Sequence, residues 1–310
     1  MAAVSRLSRP AALLVTACLA GCSSIVAPSP AGSVSAVPAT AAAPSASAVL
    51  TAATSAPSRP SVALRIDSVS NFRDVAGDGL ALPDGRTMAT GVVYRSAKLA
   101  GMSAPDREAL AGAGLAGILD LRTPGVAKAS PDPVIAGAKY RLINLYATAK
   151  ARKPKLRSVA AARAYLRSVN VGFVASSAQR ARVAWTLRLI AAASGPVVIH
   201  CTEGKDRTGW VSAILQLTAG ARVVDVRAEY LKSNSYRAGI IAERYRATKA
   251  HSGVRAAQIE RALLKVDVSY LDAGLTELRH RYGSIDGYLT RGLKLDAATV
   301  EKLRARLVSG

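Results

Sequence analysis

The stretch PVVIHCTEGKDRTGWVSAILQLTAG, residues 196–220, joins two apolar runs through a short polar loop. The first run, PVVIH (196–200), is short and rich in β-branched residues, as in a buried strand. The second run begins near Thr208 and has the length and composition of a helix. Cys201 opens the loop between them and Gly204 lies at its centre. The stretch therefore predicts a strand–loop–helix unit.

The same alternation of short β-branched runs and longer helical patterns continues along the chain. Further strands are expected at residues 91–96, 117–122 and 140–145, and helices at 103–114 and 176–195. The helix at 103–114 has Ser103 as its N-cap and Pro105 just inside it. After Thr208 the chain is mainly helical. This order predicts an α/β fold with a central, largely parallel sheet flanked by helices and with extra C-terminal helices.

Residues 148–170 break the pattern, because this segment is basic and is interrupted by Pro154. We expect it to form an insertion outside the core, a basic helical lid.

The N-terminus has the features of an export signal. Residues 1–22 contain two arginines, a short apolar run and the ending LAGC, which resembles the lipobox of bacterial lipoproteins. The resemblance implies that Cys22 is acylated and anchors the chain to the outer face of the cell membrane; plain secretion is the alternative. Residues 23–60 are almost entirely Ala, Ser, Pro, Val and Thr and predict a disordered tether. The catalytic domain is expected at 61–310.

The charge is strongly positive and unevenly distributed. The chain has 42 Lys and Arg against 20 Asp and Glu, a formal net charge of +22, and no acidic residue between Asp132 and Glu203. Solvated helix faces would account for this excess; so would a positive field that gathers anionic substrates or anionic lipid. Nucleic acid is disfavoured as a partner, because aromatic residues are few and the chain is expected to be exported.

Cys201 has no expected disulfide partner. Cys18 leaves with the signal and Cys22 would carry lipid, so Cys201 is either a core residue or a reactive thiol. A loop of inward-facing N–H groups at a helix N-terminus is an anion cradle that favours a thiolate. Arg207 adds a planar fork suited to two phosphate oxygens, and the hydroxyl of Thr208 can donate to the thiolate or steady the loop.

Other sites with similar residues fit less well. A P-loop NTPase needs an upstream glycine and a Lys-Ser/Thr order that GKDRTG lacks. A metal site is disfavoured, because His200 and Cys201 are adjacent on a strand, point to opposite faces and have no second pair. A papain-like thiol hydrolase needs a histidine base, and His251 and His280 fall on helices expected to be exposed. His200 is expected to hydrogen-bond inside the core, and no metal or cofactor is predicted.

The loop resembles a known signature. Cys201, Arg207 and Thr208 match the C-x5-R-[ST] pattern of cysteine-dependent protein tyrosine phosphatases. HCTEGKDRTG is similar to the variant found in bacterial, often secreted enzymes of the mycobacterial tyrosine phosphatase B type. Further segments follow that family's pattern in its order, so that the resemblance covers roughly residues 66–308: NFRDVAG (71–77), GVVYRSAKL (91–99), LDLRTP (119–124), AEYLKSN (228–234) and YGSIDGYL (282–289). The chain departs from the family in having GVAKAS where a glutamate usually follows DLR, and in a lid region short of acids.

The resemblance implies a metal-free, two-step mechanism. Cys201 attacks phosphorus to form a phosphocysteine, which water hydrolyses. Better-known tyrosine phosphatases take the leaving-group proton from an aspartate upstream of the cysteine, but residues 133–202 contain no carboxylate. The remaining candidates are Asp206, Asp120 and Asp74. We expect Asp206, which resembles the loop aspartate of myotubularin-type phosphatases, to act as general acid and then as base.

Asp120 is the second candidate acid or an orienting group, and it could instead pair with Arg122 or Arg73. Asp74 could hold the loop from outside.

The remaining loop residues bear on the substrate. The phosphate-binding loop is predicted to comprise Thr202, Glu203, Gly204, Lys205, Asp206, Arg207 and Thr208. Lys205 makes phosphoinositide or phosphoserine/threonine turnover an alternative to phosphotyrosine proteins, whereas Glu203 faces either the pocket mouth or solvent. A silent phosphate-binding module is the remaining alternative, and the intact Cys, Asp, Arg and Thr of one loop disfavour it.

Overall fold

The computed structural model describes residues 64–149 and 154–309. The predicted signal peptide, the acylated Cys22 and the tether lie outside the described residues.

The main sheet has five strands in the order β1-β3-β6-β4-β5. Strands β3, β6, β4 and β5 are parallel, and β1 is antiparallel to β3 at one edge. Two further strands form a small antiparallel pair, β2 with β7. In chain order the strands are β1 (Arg73–Asp74), β2 (Thr87–Met88), β3 (Val93–Ser96), β4 (Gly117–Asp120), β5 (Lys139–Leu142), β6 (Val197–His200) and β7 (Val308–Ser309).

The register brings the carboxyl ends of three strands together. His200, the last residue of β6, is paired with Ser96 of β3 on one side and with Asp120 of β4 on the other. The segments that follow these strands therefore leave the sheet at one edge, where ligands bind in open parallel sheets.

Helices cover the sheet and continue after it. They are α1 (Ala104–Gly112), α2 (Pro124–Ala129), α3 (Val159–Ala175), α4 (Ser177–Ala192), α5 (Arg207–Thr218), α6 (Val223–Tyr236), α7 (Ala238–Leu264), α8 (Val268–Tyr282), α9 (Ile285–Gly287) and α10 (Ala297–Leu307), with a π-helical turn at Tyr288–Gly292. Trp210 of α5 is fully buried between Phe173 and Tyr288, at ring-centroid distances of 6.0 and 6.2 Å. The helix that follows the loop is thus anchored in the core.

The predicted fold class is confirmed. A β-branched run becomes a strand at each of the four expected places, and the Ser103 hydroxyl caps α1 by accepting from the N–H of Asp106 at 3.3 Å. The ends differ by a few residues, because the predicted runs included flanking residues that make single inter-strand hydrogen bonds, such as Leu121 N–H to His200 O and Ile143 N–H to Asp120 O, beyond the ends of the paired strands.

The expectation of a lid outside the core at 148–170 is wrong from Val159 onward. Those residues begin α3, which packs against α8. Ala162, Leu166 and Asn170 are at most 5 % exposed. Four-residue spacing places these three side chains on one helix face, and the arginines on the other faces hid that stripe. Residues 150–153 of this segment lie outside the described residues.

Helix α7 is broken by Gly253, whose φ of 82° and ψ of 172° are not helical. Its two arms are linked by an ion pair of 2.5 Å from Arg244 in the first arm to Glu260 in the second. Among the described residues, no helix combines the length and the apolar character that crossing a membrane requires.

Candidate active site

The loop between β6 and α5 carries the predicted nucleophile and clamp at its two ends. Cys201 follows directly on β6 and is 2 % exposed. Arg207 is the first residue of α5, with Asp206 immediately before it. The first N–H groups of α5 and its positive dipole end therefore border the loop. This is the strand–loop–helix unit that residues 196–220 predict.

Gly204 lets the loop pack against the neighbouring strand. Its φ is +66°, and a Cβ at this position would lie 2.4 Å from the carbonyl oxygen of Ser96 and 2.6 Å from the nitrogen of Ala97. Because both atoms belong to the backbone, they cannot move aside cheaply. A side chain at position 204 would therefore push the loop away from β3.

Gly204→Ala should lower the free energy of unfolding by about 2–3 kcal/mol, because it combines backbone strain with a steric clash. Gly220→Ala is the matched control: Gly220 also has a positive φ, of 99°, but has no atom within 4 Å of the added Cβ. The control should lose about 1 kcal/mol through strain alone. Denaturant unfolding measures both values; equal losses would mean that the contact with β3 does not restrict the loop.

Side chains from two segments that are distant in sequence hold the loop in position. Asn71 donates from Nδ2 to the carbonyl oxygens of Glu203 at 3.2 Å and Gly204 at 2.9 Å. Arg73 donates to Asn71 Oδ1 at 2.5 Å and to Glu229 Oε1 at 2.5 Å. The segments 71–77 and 228–234 thus meet behind the loop, which explains why both accompany the signature.

Arg95 of β3 is a buried cation behind the loop. Its side chain is 1 % exposed and donates from Nη2 to the carbonyl oxygen of Gly204 at 2.9 Å. Burial lowers the pKa of Arg95 to about 9, Arg73 acts in the same direction, and Glu229 opposes both. Arg95 therefore adds positive charge on the side of the loop that faces the sheet.

Arg207 lies against the ring of Tyr146, with 4.6 Å between the guanidinium carbon and the ring centroid. Nη1 and Nη2 make long hydrogen bonds of 3.3 Å to Leu121 O and Thr202 Oγ1, and Nε has no partner among the described residues. Burial acts to lower the pKa of Arg207, but the negative charge of Cys201 and other nearby groups raise it above the usual value. The Tyr146 ring orients the plane of the guanidinium, and its N–H donors make only long hydrogen bonds or none. They are therefore available to bind an anion.

Asp206 and Lys205 form a pair at the other side of the loop. Lys205 Nζ donates to both carboxylate oxygens of Asp206 at 2.9 Å. The Asp206 side chain is 16 % exposed, whereas that of Lys205 is 3 % exposed. The Asp206 carboxylate accepts no hydrogen bond from the N–H groups at the N-terminus of α5, so it does not act as a side-chain cap of this helix.

Asp120 lies at the end of β4 and is fully buried. It accepts four hydrogen bonds from Arg122, three from the guanidinium and one from the backbone N–H, and one from the Tyr140 hydroxyl at 2.8 Å. Burial acts to raise its pKa, yet the Arg122 hydrogen bonds and the charges of His200 and Arg122 outweigh burial and lower the pKa. A carboxylate held in this way is a poor proton donor. The geometry favours the orienting role for Asp120 and pairs it with Arg122, not with Arg73.

His200 lies beside the same buried carboxylates, but neither of its ring nitrogens makes a hydrogen bond among the described residues, so the hydrogen bond expected for it in the core is not found. Its Nε2 is 3.2 Å from Asp132 Oδ2 and 3.9 Å from Asp120 Oδ1. Asp132 also accepts from the N–H of Leu99 at 3.0 Å and pairs with Arg122 at 2.6 Å. Ligand atoms of Asp120, Asp132 and His200 lie within 4.8 Å of one another. The Arg122 guanidinium already bridges both carboxylates, so this donor set does not fit a metal cation.

Two further carboxylates, those of Asp74 and Glu203, are held by other groups. Asp74 accepts from the N–H groups of Ala76 at 2.8 Å and Gly91 at 2.5 Å, and burial raises its pKa to about 6 although both hydrogen bonds lower it. It holds a turn and makes none of the hydrogen bonds to the loop. The Glu203 carboxylate pairs with Arg237 and Arg244.

The loop residues thus lie together between β6 and α5. Thr208 is fully buried, and its hydroxyl has no hydrogen-bond partner within the described ranges, so the bond expected from it to the thiolate or to the loop is not found. Tyr146, Arg95 and Arg237 were not singled out. Arg95 and Tyr146 follow strand patterns and could have been found by asking which polar residues a buried strand carries or precedes. Nothing marked Arg237.

Comparison with known proteins agrees with this site. The model of the tyrosine phosphatase family matches residues 64–309. A protein of Cupriavidus necator named as a tyrosine-protein phosphatase is 33 % identical over 255 residues, which cover 80 % of this chain and 89 % of the relative. The triple specificity protein phosphatase PtpB of Mycobacterium tuberculosis is 29 % identical over 272 residues, 77 % of this chain and 96 % of the relative. A tyrosine-protein phosphatase of Nostoc commune is 28 % identical over 224 residues, 69 % of this chain and 73 % of the relative.

These matches confirm the resemblance that the loop and the accompanying segments indicate. They also confirm an enzyme of the protein-tyrosine phosphatase type. With its signature loop in place between β6 and α5, the chain belongs to the tyrosine phosphatase family.

Proposed function

We propose that the protein hydrolyses phosphotyrosine through a phosphocysteine on Cys201. The observation that carries the proposal is the placement of Cys201 and Arg207 at the two ends of one buttressed loop, at the carboxyl edge of the sheet. A phosphoryl group in that loop has the thiolate on one side and a planar guanidinium for its oxygens.

The reaction has two balanced steps. In the first, Cys201 Sγ forms a bond to phosphorus while the bond to the leaving oxygen breaks, and that oxygen takes a proton from Asp206. In the second, water attacks phosphorus and gives a proton to Asp206, the S–P bond breaks, and inorganic phosphate leaves. Arg207 holds the phosphoryl oxygens throughout both steps.

Asp206 is the proposed acid because its competitors are occupied. Asp120 is enclosed by Arg122 and Tyr140, and Asp74 is bound to two backbone N–H groups. Asp206 is partly exposed and is held by Lys205, whereas the other carboxylate of the loop, Glu203, is paired with Arg237 and Arg244. A phosphate dianion competes for that same ammonium group, which frees the carboxyl group to carry the proton.

Asp206→Asn should lower kcat on an alkyl phosphate by about 10²–10³-fold, because an alkoxide cannot leave without a proton. The loss on p-nitrophenyl phosphate should be at least about tenfold smaller, since that phenolate leaves without help. Asp120→Asn, measured with both substrates, is the comparison: an orienting group should affect them equally. Normal alkyl-phosphate turnover by Asp206→Asn would assign the proton to another group.

The reaction itself is tested by phosphate release in the presence of a chelator, without added metal. Phosphotyrosine peptides should be turned over, and the absence of turnover by wild type would contradict the proposal. Phosphoserine peptides and phosphoinositides belong in the same panel. We propose them as secondary substrates, supported by the triple specificity in the name of the mycobacterial relative and by Lys205 in the loop.

We also propose that the protein is exported and anchored by lipid on Cys22, on the basis of its LAGC ending and the Ala/Pro/Ser-rich segment that follows. Cys22→Ser should move the protein from the membrane pellet to the soluble fraction and abolish palmitate labelling. Cys18→Ser is the control and should change neither. Labelling that persists in Cys22→Ser would rule out this anchor.

A further inference from the structure

Arg237 is a buried cation that the mechanism above does not use. It lies between α6 and α7 and its side chain is 1 % exposed. An arginine at this depth is costly to bury unless its charge and donors are compensated. Its partners therefore indicate what the charge is for.

The guanidinium joins the phosphate loop to helix α7. One side donates to the carboxylate of Glu203, a loop residue, and the other donates to the carbonyl oxygen of Leu264, at the end of α7, at 2.6 Å. The second oxygen of Glu203 lies 3.4 Å from Arg244 in the first arm of α7. Glu203 thus ties the loop to the first arm of α7 through Arg244, and Arg237 links Glu203 to the last residue of the second arm.

Electrostatics connect Arg237 to the nucleophile as well. Burial lowers the pKa of Arg237 to about 10, while the negative charge of Cys201 opposes that effect and Arg244 adds to it. Arg237 and Cys201 are therefore near enough for their charges to interact. Charged or titratable groups around the thiol, in addition to its neighbours along the loop and in β6, are Arg95, Arg207, Arg237 and Tyr146.

If the ion pair between Arg237 and Glu203 served stability alone, an acidic residue within the phosphate loop would not be needed. A carboxylate there repels a phosphate dianion unless a cation directs it away and neutralises it, which Arg237 does. Two effects follow for the reaction: the loop backbone at Glu203 is fixed, and the thiolate keeps one more buried positive charge close to it.

We propose that Arg237 is a positioning residue of the phosphatase reaction, which holds the phosphate loop through Glu203 and supports the Cys201 thiolate by its charge. It touches neither substrate nor the reacting atoms. Its effect on the reaction runs through the loop backbone and through the field at Cys201.

The test is the pH profile of Cys201 alkylation by iodoacetamide, measured with kcat and KM. In Arg237→Gln the alkylation midpoint should rise by about 1 pH unit, and kcat should fall by about 10–100-fold with KM changed less than about threefold. Arg237→Lys restores the charge and should bring the midpoint back. An unchanged midpoint in Arg237→Gln, with only the melting temperature lowered, would reduce Arg237 to a structural tie.

A further variant, Glu203→Gln, separates the effect of charge from the effect of the tie. Glu203→Gln removes the negative charge and leaves Arg237 in place, so the midpoint should fall while kcat also falls, through the loosened loop. A midpoint that moves upward, or a kcat equal to that of wild type, would contradict the proposal even where Arg237→Gln does not fold.

Arg306→Gln is the matched control. Arg306 also donates to backbone carbonyls, those of Ala193 and Gly195, but at the opposite end of β6 from Cys201. Its substitution should lower stability and leave the alkylation midpoint of Cys201 where it is in wild type. A comparable shift in this control would show that the midpoint reports general loosening, and would overturn the assignment to Arg237.

Discussion

Cys201→Ser is expected to reduce kcat by at least about 10⁴-fold. A serine hydroxyl is a far weaker acid than a thiol and stays almost fully protonated without a base, and the adjacent His200 has its Nε2 3.2 Å from Asp132 Oδ2. The measurement is the steady-state turnover of a phosphotyrosine peptide.

The same variant should keep its fold and its affinity for phosphate. Cys201 is a small buried side chain, and the groups that hold an anion, Arg207 and the N-terminus of α5, are unchanged. Unaltered thermal unfolding and phosphate binding within about threefold of wild type are the controls. Turnover within tenfold of wild type would mean that Cys201 is not the nucleophile.

The part of the site that lies within one stretch of sequence was predictable. Residues 196–220 contain the strand, the loop and the helix in order, and parallel pairing then brings β3 and β4 beside β6. Local patterns suffice here, because each element is buried and short and has a turn signal at its end.

The parts that depend on pairing between distant segments were not predictable in the same way. From the sequence, Asp120 could pair with Arg122 or with Arg73. Only the fold shows that Arg73 forms its ion pair with Glu229 and that Asp120 pairs with Arg122. Asp132 lies ten residues after Arg122, directly before the acid-free span of residues 133–202, yet its contacts reach both Arg122 and His200. A pattern along one chain cannot report a contact that a loop makes by folding back.

Composition misled the interpretation of α3 for a different reason. The segment 148–170 is rich in basic residues, two of them in the helix, Arg163 and Arg167, which suggested a solvated insertion, whereas burial is decided by one face. Leu166 and Phe173 point to the core, and Tyr288 of the π-helical turn donates its hydroxyl hydrogen bond to the carbonyl oxygen of Phe173 at 3.0 Å. Average charge over a segment carries little information when one stripe is apolar.

Arg207→Lys is expected to lower kcat/KM by about 10³-fold although it keeps the positive charge. The guanidinium is oriented by the Tyr146 ring at 4.6 Å and by two hydrogen bonds of 3.3 Å, which leave its planar fork free for two phosphoryl oxygens. A lysine ammonium is a point charge that cannot hold two oxygens in one plane and stacks less well on the ring. The loss should therefore fall on kcat as well as on KM, because the fork fits the phosphoryl group best in the transition state.

Arg180→Lys is the matched control for this prediction. Arg180 also lies over a tyrosine ring, that of Tyr282 at 5.9 Å, and donates to backbone carbonyls, but it belongs to α4 and has no contact with the loop. Its substitution should change kcat/KM less than about threefold while lowering the melting temperature only slightly. If Arg207→Lys retained activity within tenfold of wild type, charge alone would account for phosphate binding, and the orientation by Tyr146 would have no role in the reaction. A large loss confined to Arg207→Lys, by contrast, assigns that loss to the geometry of the fork, since net charge, stacking partner and helix propensity are matched between the two substitutions.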